Sequence, residues 1–433
     1  MATAMRSPLV LVLLLSLSFS LALASYWEMD AEAGEGRSGS GRPYHYGEES
    51  FRHWTRSRQG RFRVLGRFTH ELLEDAVGNY RVAELEAAPR AFLQPSHYDA
   101  DEVMFVREGE GVVALLFKGR RESFCVREGD VLVIPAGAAV YSANTHDSRW
   151  FRVVMLLNPV STAGRFEEFF PIGGDRPESF FSVFSDEVLQ AAFNTRREEW
   201  EQVFEKQSKG EITTASEEQI RELSKSCSRS GRGHGGGDSA KLWDIKPSSL
   251  TGKKPSHSNN HGKHYEITGN DCPQLRALNI EVGLANITRG SMMAPSYSTL
   301  SHTRIAVVVE GSGYFEMACP HLSGGRSPSP SRREREREHG RREEGSVIVI
   351  PAGHPTTLVA GGDRNLAVVC FGVNAEHDDK VFLAGKNSML QQMDDPAKAL
   401  AFGAEKEKVD RVIGAQTDAV FLRGPNSRRV SSE

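Results

Sequence analysis

The sequence lacks a cysteine framework. Its five cysteines in 433 residues (Cys125, Cys227, Cys272, Cys319 and Cys370) are too scattered to staple a small secreted fold. None forms a CxxC pair, which excludes a zinc site of that kind. The odd count leaves at least one thiol unpaired within the chain. Cys272 with Cys319 is the nearest pairing candidate, and spacing alone leaves it open. Charge of one sign is lacking too: 53 Lys+Arg against 57 Asp+Glu give a net −4, no basis for a nucleic-acid partner. No apolar run reaches the ~20 residues that cross a bilayer. The longest, from Leu9 to Leu23, follows Arg6 and ends in the small residues around Ala22 and Ala24, the three parts of a cleavable secretory signal. Residues 1–24 are therefore expected to be removed, leaving a soluble protein of the secretory pathway with no membrane partner. Catalytic motifs are also missing. There is no GxSxG elbow, no Ser/His/Asp order around His302, and no lysine in GGRSPSP for a phosphate loop. GSGYFE at 311–316 precedes no helix, so its glycines make a strand turn rather than a dinucleotide fingerprint. Lysine is scarce, 14 against 39 arginines, which fits either a well-solvated surface or a nitrogen-rich reserve.

What is present is a repeat. GDVLVIPAG at 129–137 returns as GSVIVIPAG at 345–353, an offset of 216. REGEG at 107–111 returns as VEGSG at 309–313, an offset of 202, and an insertion from Arg326 to Glu344 nearly accounts for the difference. Phe166 matches Phe382, and VLQAAFN (188–194) matches KALAFGA (398–404). The chain is two domain-sized units. In each, short apolar runs between Gly, Pro and charged clusters predict a mainly β sandwich or barrel. Helical stretches follow at 186–206, 217–224 and 387–414, with Ser185 placed as an N-cap before an acidic first turn.

The expected organisation is a signal at 1–24 and a flexible Gly- and Arg-rich extension at 25–67. An N-terminal unit with its helices (68–225), a Ser/Gly/Lys-rich linker (226–262) and a C-terminal unit (263–424) follow, and 425–433 form a tail. Within the second unit, residues 324–344 read as a disordered loop, because the RREREREHGRREE run has Ser-Pro flanks and no apolar residues.

Both units resemble cupins, and their tandem arrangement is similar to a vicilin-type (7S) seed storage globulin. The resemblance runs from about Phe68 to Phe421 and is carried by PSHYDADEVMFVREGEG, GDVLVIPAGAAVYSAN, FEEFFPIGGDRPESFFSVFSDEVLQAAFN, ITRGSMMAP, GYFEMACPHLS and VIVIPAGHP. The MACPHLS run is closest to the embryo globulin and sucrose-binding branch. The resemblance implies two tandem jelly-roll β-barrels, each followed by a helical segment, and a homotrimer in which the helices of one subunit pack on its neighbour. It also implies a nutrient-reservoir function without enzyme activity, and residence in the protein storage vacuole or outside the cell. A carbohydrate-binding protein is the alternative, with Tyr141 and His97 at a barrel mouth and weak sugar binding. A metal-dependent cupin oxidase or dioxygenase is a further one.

Metal-binding cupins hold iron or manganese with three histidines and a glutamate. In the first unit those positions fall on His97, Asp99, Glu102 and Val140, so the set is expected to be vestigial. In the second they fall on Tyr297 and Thr299 (or Thr299 and Ser301), Arg304 and Thr356, with His302 and His354 off register. No cofactor and no metal are expected. Asn286-Ile287-Thr288 is a pattern for an N-linked glycan.

Overall fold

The computed structural model of the chain describes residues 43–169, 172–173, 178–225, 227, 245–320, 337–376 and 379–425. The signal at 1–24 and most of the tail lie outside them. The repeat becomes two antiparallel barrels, each built of two sheets. One sheet of the first barrel runs Asp130–Ile134, Ala100–Glu108, Phe151–Pro159, Arg81–Ala87, Gly60–Leu65 and Phe51–Arg56 in spatial order. The other runs Glu168–Phe169, Ala91–Tyr98, Ala139–Asn144, Glu110–Phe117 and Arg120–Arg127. The second barrel repeats the plan: Val347–Ile350, Thr303–Glu310, Leu366–Val373, Ile280–Ile287 and Gly262–Ile267 face a sheet built on Gly313–Ala318 and Thr356–Ala360.

The repeated glycines have a steric cause. Gly109 and Gly311 have φ of +81° and +80°, and a Cβ there would lie 2.2 Å from the Trp150 carbonyl and 1.9 Å from the Asn365 carbonyl. Only glycine lets the hairpin close against the neighbouring strand. Asn144 is fully buried and braces the same corner of the first barrel. Its Nδ2 donates to the carbonyls of Ala87, Ala88 and Arg149 at 3.1, 2.9 and 2.8 Å, and its Oδ1 accepts from the His146 amide.

The units exchange short straps. His45–Tyr46 pairs with the Val347–Ile350 strand of the second barrel, while Ser248–Ser249 pairs with the Asp130–Ile134 strand of the first. Each strap therefore adds to the repeated VIP strand of the opposite unit. Tyr44, Tyr46 and Leu250 are buried beside them, and the apolar cluster they join runs continuously from Val103, Phe105 and Val131 to Val282, Val307 and Val347. The contact between barrels is thus core rather than a linker-spaced interface.

The helices match the expectation. Asp186–Phe193 and Arg197–Phe204 follow the first barrel, with Glu217–Lys225 beyond; Asp395–Phe402 and Lys406–Ile413 follow the second. The Ser185 hydroxyl accepts from the Val188 amide at 3.4 Å, and Asp394 does the same for Ala397 at 2.9 Å. No helix among the described residues is long and apolar enough to cross a membrane.

Three expectations are corrected and one open pairing is resolved. The extension does not remain irregular to residue 67, because Phe51–Arg56 and Gly60–Leu65 are barrel strands with Phe62, Val64 and Leu65 buried. The linker ends before 262, where Ser248–Ser249 and His257–Asn259 are already in sheets. In the charged insert, Arg337–Arg342 is a strand paired along Gly313–Ala318, doing what Arg120–Arg127 does for Glu110–Phe117 in the first unit. Backbone pairing to an existing strand needs no apolar side chain, so composition hid it. Finally, the disulfide joins Cys125 to Cys227, with Cα atoms 5.1 Å apart, and ties the last helix of the first unit to its barrel. Cys272 and Cys319 are buried thiols instead.

Candidate functional site

The interior of each barrel is where a jelly roll would carry chemistry. In the first barrel, side chains alternate across the strands, and Ser96, Tyr98, Glu102 and Val140 are among the residues that line a cavity of about 70 Å3. His97 and Tyr141 are not among the lining residues. Val140 sits directly opposite Ser96 in the sheet, so the neighbouring His97 turns to the other face. There its ring stacks on Phe169 with centroids 4.4 Å apart and meets the edge of Phe180 at 5.9 Å, and burial lowers its pKa. Asp99 is a loop brace: its Oδ1 accepts from the Glu167 amide at 2.7 Å. Tyr141 lies beside Phe92, with ring centroids 6.1 Å apart. The positions assigned to His97 and Asp99 are therefore corrected to Ser96 and Tyr98. Of the assigned set only Glu102 and Val140 line the cavity, and the pairing of His97 with Tyr141 at a sugar-binding mouth fails for the same reason of strand parity.

The cavity is acidic. Glu102 is 4% exposed, and burial, together with the Glu168 and Asp101 charges, pushes its pKa up to about 8. Glu168 receives a hydrogen bond from the Tyr98 hydroxyl at 3.3 Å and others from Ser96 and Trp54, yet burial still raises it. Glu211, bonded to the Thr55 hydroxyl, is pushed up to about 7 by burial and by Glu168. Sequence reading missed Glu168 and Glu211. They come from the FEEFF and KGEITT segments, neither of which matches a metal-ligand position, and only the fold brings them to Glu102.

The second barrel has the same frame and a different lining. Ser296 pairs with Thr356 as Ser96 pairs with Val140. Arg304, 5% exposed, takes the place of Glu102. The inward positions are thus Ser296 and, two residues on, the buried Ser298, not Tyr297, Thr299 or Ser301. Lys380 donates to Glu266 Oε1 at 3.0 Å, and His264 Nδ1 lies 3.1 Å from the same oxygen. Burial and the Lys380 charge lower His264 to about 4. Burial would raise Glu266, but the His264 bond and Lys380 outweigh it and hold the carboxyl far below its ordinary range. The remaining space is about 20 Å3, room for about one water. His354 is a turn residue outside it: its Nδ1 lies 3.0 Å from the Ala352 carbonyl and its ring lies 5.7 Å from Tyr44.

A cupin metal centre does not fit these residues. The first cavity holds carboxyls, hydroxyls and apolar groups but no imidazole among the described residues, and the second barrel presents a guanidinium at the carboxylate position. Among the described residues no three His, Cys, Asp or Glu side chains converge as metal ligands. Neither cavity approaches the few hundred Å3 of a usual small-molecule pocket.

Comparison with known proteins extends this. The cupin family model matches residues 69–201 and 248–410. The chain is 64% identical to cupincin of Oryza sativa subsp. indica over 93% of this chain and 89% of that protein. It is 42% identical to the vicilin Jug r 6.0101 of Juglans regia over 89% of this chain and 78% of that one. The crystal structure of vicilin from Corylus avellana superposes with a TM-score of 0.80 at 41% identity, covering 89% of this chain and all of that one.

Proposed function

The chain belongs to the cupin family and, within it, to the vicilin-type seed storage globulins, and from that premise we propose that it serves as a non-enzymatic reserve assembled as a homotrimer. One observation supports the absence of chemistry above the others: the inward ring reads Ser96, Tyr98, Glu102 and Val140 in one barrel and Ser296, Ser298, Arg304 and Thr356 in the other, neither a metal-ligand set. Assembly is supported by the helices. Val183, Val188 and Val203 after the first barrel, and Leu400 and Val412 after the second, are 52–87% exposed. Apolar side chains gathered on two helical arms at matching places of a duplicated chain suit a closed ring, in which each arm covers a neighbour.

The test is a sizing run with light scattering, combined with elemental analysis of protein purified without chelator. A mass of about three chains with no stoichiometric manganese or iron supports the reading. A monomer, or one metal per chain, overturns it. The reading extends to the secretory pathway and the protein storage vacuole, with a mature N-terminus at Ser25, which N-terminal sequencing of seed protein tests. It extends also to Asn286 as glycan acceptor. Asn286 is half-buried on the face of its strand opposite the cavity, near the strand end, with its Oδ1 accepting from Asn365 at 3.2 Å. A glycosidase-sensitive mass on the peptide containing Asn286 supports this, and an unmodified peptide removes it.

A further inference from the structure

The first barrel's cavity has a feature that a storage role does not use. Three carboxyls, Glu102, Glu168 and Glu211, meet in it, with the Tyr98 hydroxyl bonded to Glu168. Glu168 and Glu211 have protein donors: Tyr98, Ser96 and Trp54 for one, Thr55 for the other. Glu102 does not. It is 4% exposed and lines the cavity; what acts on its carboxyl is burial and the charges of Glu168 and Asp101, and among the described residues no hydrogen bond reaches it. A buried carboxyl without a donor, facing a partly open cavity, costs desolvation free energy when ionised. The titratable groups that face it are Glu168, Glu211 and Tyr98; Asp101, next on its own strand, turns to the other face but adds its charge. Among the described residues no lysine, arginine or histidine lines the space.

We propose that this cavity is a binding site for a small primary ammonium cation, of the size of methylammonium. The three N–H donors of such an ion would supply Glu102 with the hydrogen bonds it lacks, bridge it to Glu168, and relieve the repulsion among the carboxyls. One part of the wall is apolar, with Met104, Ile134, Val140, Phe151 and Met155, and takes the methyl group. The volume of about 70 Å3 is small beside the few hundred Å3 of a usual ligand pocket, which favours an ion of a few heavy atoms over a larger amine. A bare divalent ion is disfavoured, since the carboxyls do not converge as metal ligands. The second barrel offers no equivalent site, because Arg304 and Lys380 occupy it.

The test is calorimetric titration of the full-length protein with methylammonium chloride at pH 8.5, with tetramethylammonium chloride as the control of equal charge without N–H donors. The expected result is one saturable site per chain with a Kd of about 1 mM or tighter, no saturable heat from tetramethylammonium, and at least tenfold weaker binding in both Glu102→Gln and Glu168→Gln. The melting temperature of each variant without ligand is measured alongside. Equal or higher melting makes lost binding a loss of the site; if one variant melts below the wild type, the other carries the comparison. Absence of saturable heat with the wild-type protein, undiminished binding in a folded variant, or equal binding of tetramethylammonium overturns the proposal. The sizing experiment is unaffected by any of these outcomes, so the storage reading stands or falls separately.

Discussion

The two barrels descend from one plan and differ most where they are most alike in geometry. At the position facing the centre from the REGEG and VEGSG strands, one carries Glu102 and the other Arg304, both about 95% buried. Around Glu102 the fold gathers further carboxyls, and all are pushed toward their neutral forms. Around Arg304 it places Lys380, Glu266 and a neutral His264, and Glu266 is driven to remain ionised. A jelly-roll frame fixes which positions face inward but not the sign of the charge there. The two interiors should consequently answer acid in opposite directions.

The largest expected effect lies at Glu102. Its pKa is raised from 4.5 to about 8 in the folded chain. Stability is fully present below about pH 4.5 and lost as pH rises toward about 8, by at most about 5 kcal/mol. Glu102→Gln keeps the shape and removes the charge. Its advantage over the wild type should be absent at pH 4.5 and widen up to pH 8, as read from chemical denaturation at a series of pH values. A pH-independent difference would break the contrast between barrels.

Next is the staple. Cys125–Cys227 closes a loop across 102 residues in the first unit, and the second unit has no counterpart among the described residues. Loop closure of that size is worth about 2–5 kcal/mol. Cys125→Ser should lower the melting temperature and expose the 217–225 helix to protease before any site in the second barrel. Simultaneous loss of both units would mean that their shared core enforces a single transition.

His264 defines the acid limb of the second barrel. Its pKa falls from 6.5 to about 4 on folding. That contribution is present above pH 6.5 and lost as pH falls toward 4, by about 3 kcal/mol. His264→Gln should flatten this limb while leaving the Glu102 limb intact, as measured in the same denaturation series.

The smallest expected effect is at Val140. Val140→His restores one imidazole where the family's metal centres have one, but Ser96 and Tyr98 still supply none. No stoichiometric manganese or iron should be retained on dialysis. Retention would mean that the frame alone nearly suffices for a metal.

The frame was largely legible in the sequence because its determinants are local. Gly109 and Gly311 need a positive φ, Ser185 caps a helix three residues ahead, and the VIPAG runs are short continuous apolar strands stopped by proline and glycine. The site was less legible because its determinants are not local. His97 looks like a ligand by spacing, but parity counted back from Glu102 lands on Tyr98 and Ser96, and one residue of register reverses every side chain on a strand. Glu168 and Glu211 match no ligand pattern; their roles exist only once three distant segments meet. The Cys125–Cys227 bond was hidden for a similar reason. The closer pair in sequence, Cys272 and Cys319, sits in the core as two separate thiols, each donating a weak bond, to Gln274 and to the Met317 carbonyl.

The exchanged straps carry a consequence for how the chain is made. His45–Tyr46 leaves the ribosome early, yet its strand partner, Val347–Ile348, emerges roughly 300 residues later, about 15–60 s of synthesis at ordinary rates. During that interval Tyr44 and Tyr46 have no seat. The first barrel, by contrast, receives its own strap as soon as Ser248–Ser249 appears. The nascent protein therefore closes in an asymmetric sequence: the front half can finish before the back half exists, and its leading end is the last part to dock.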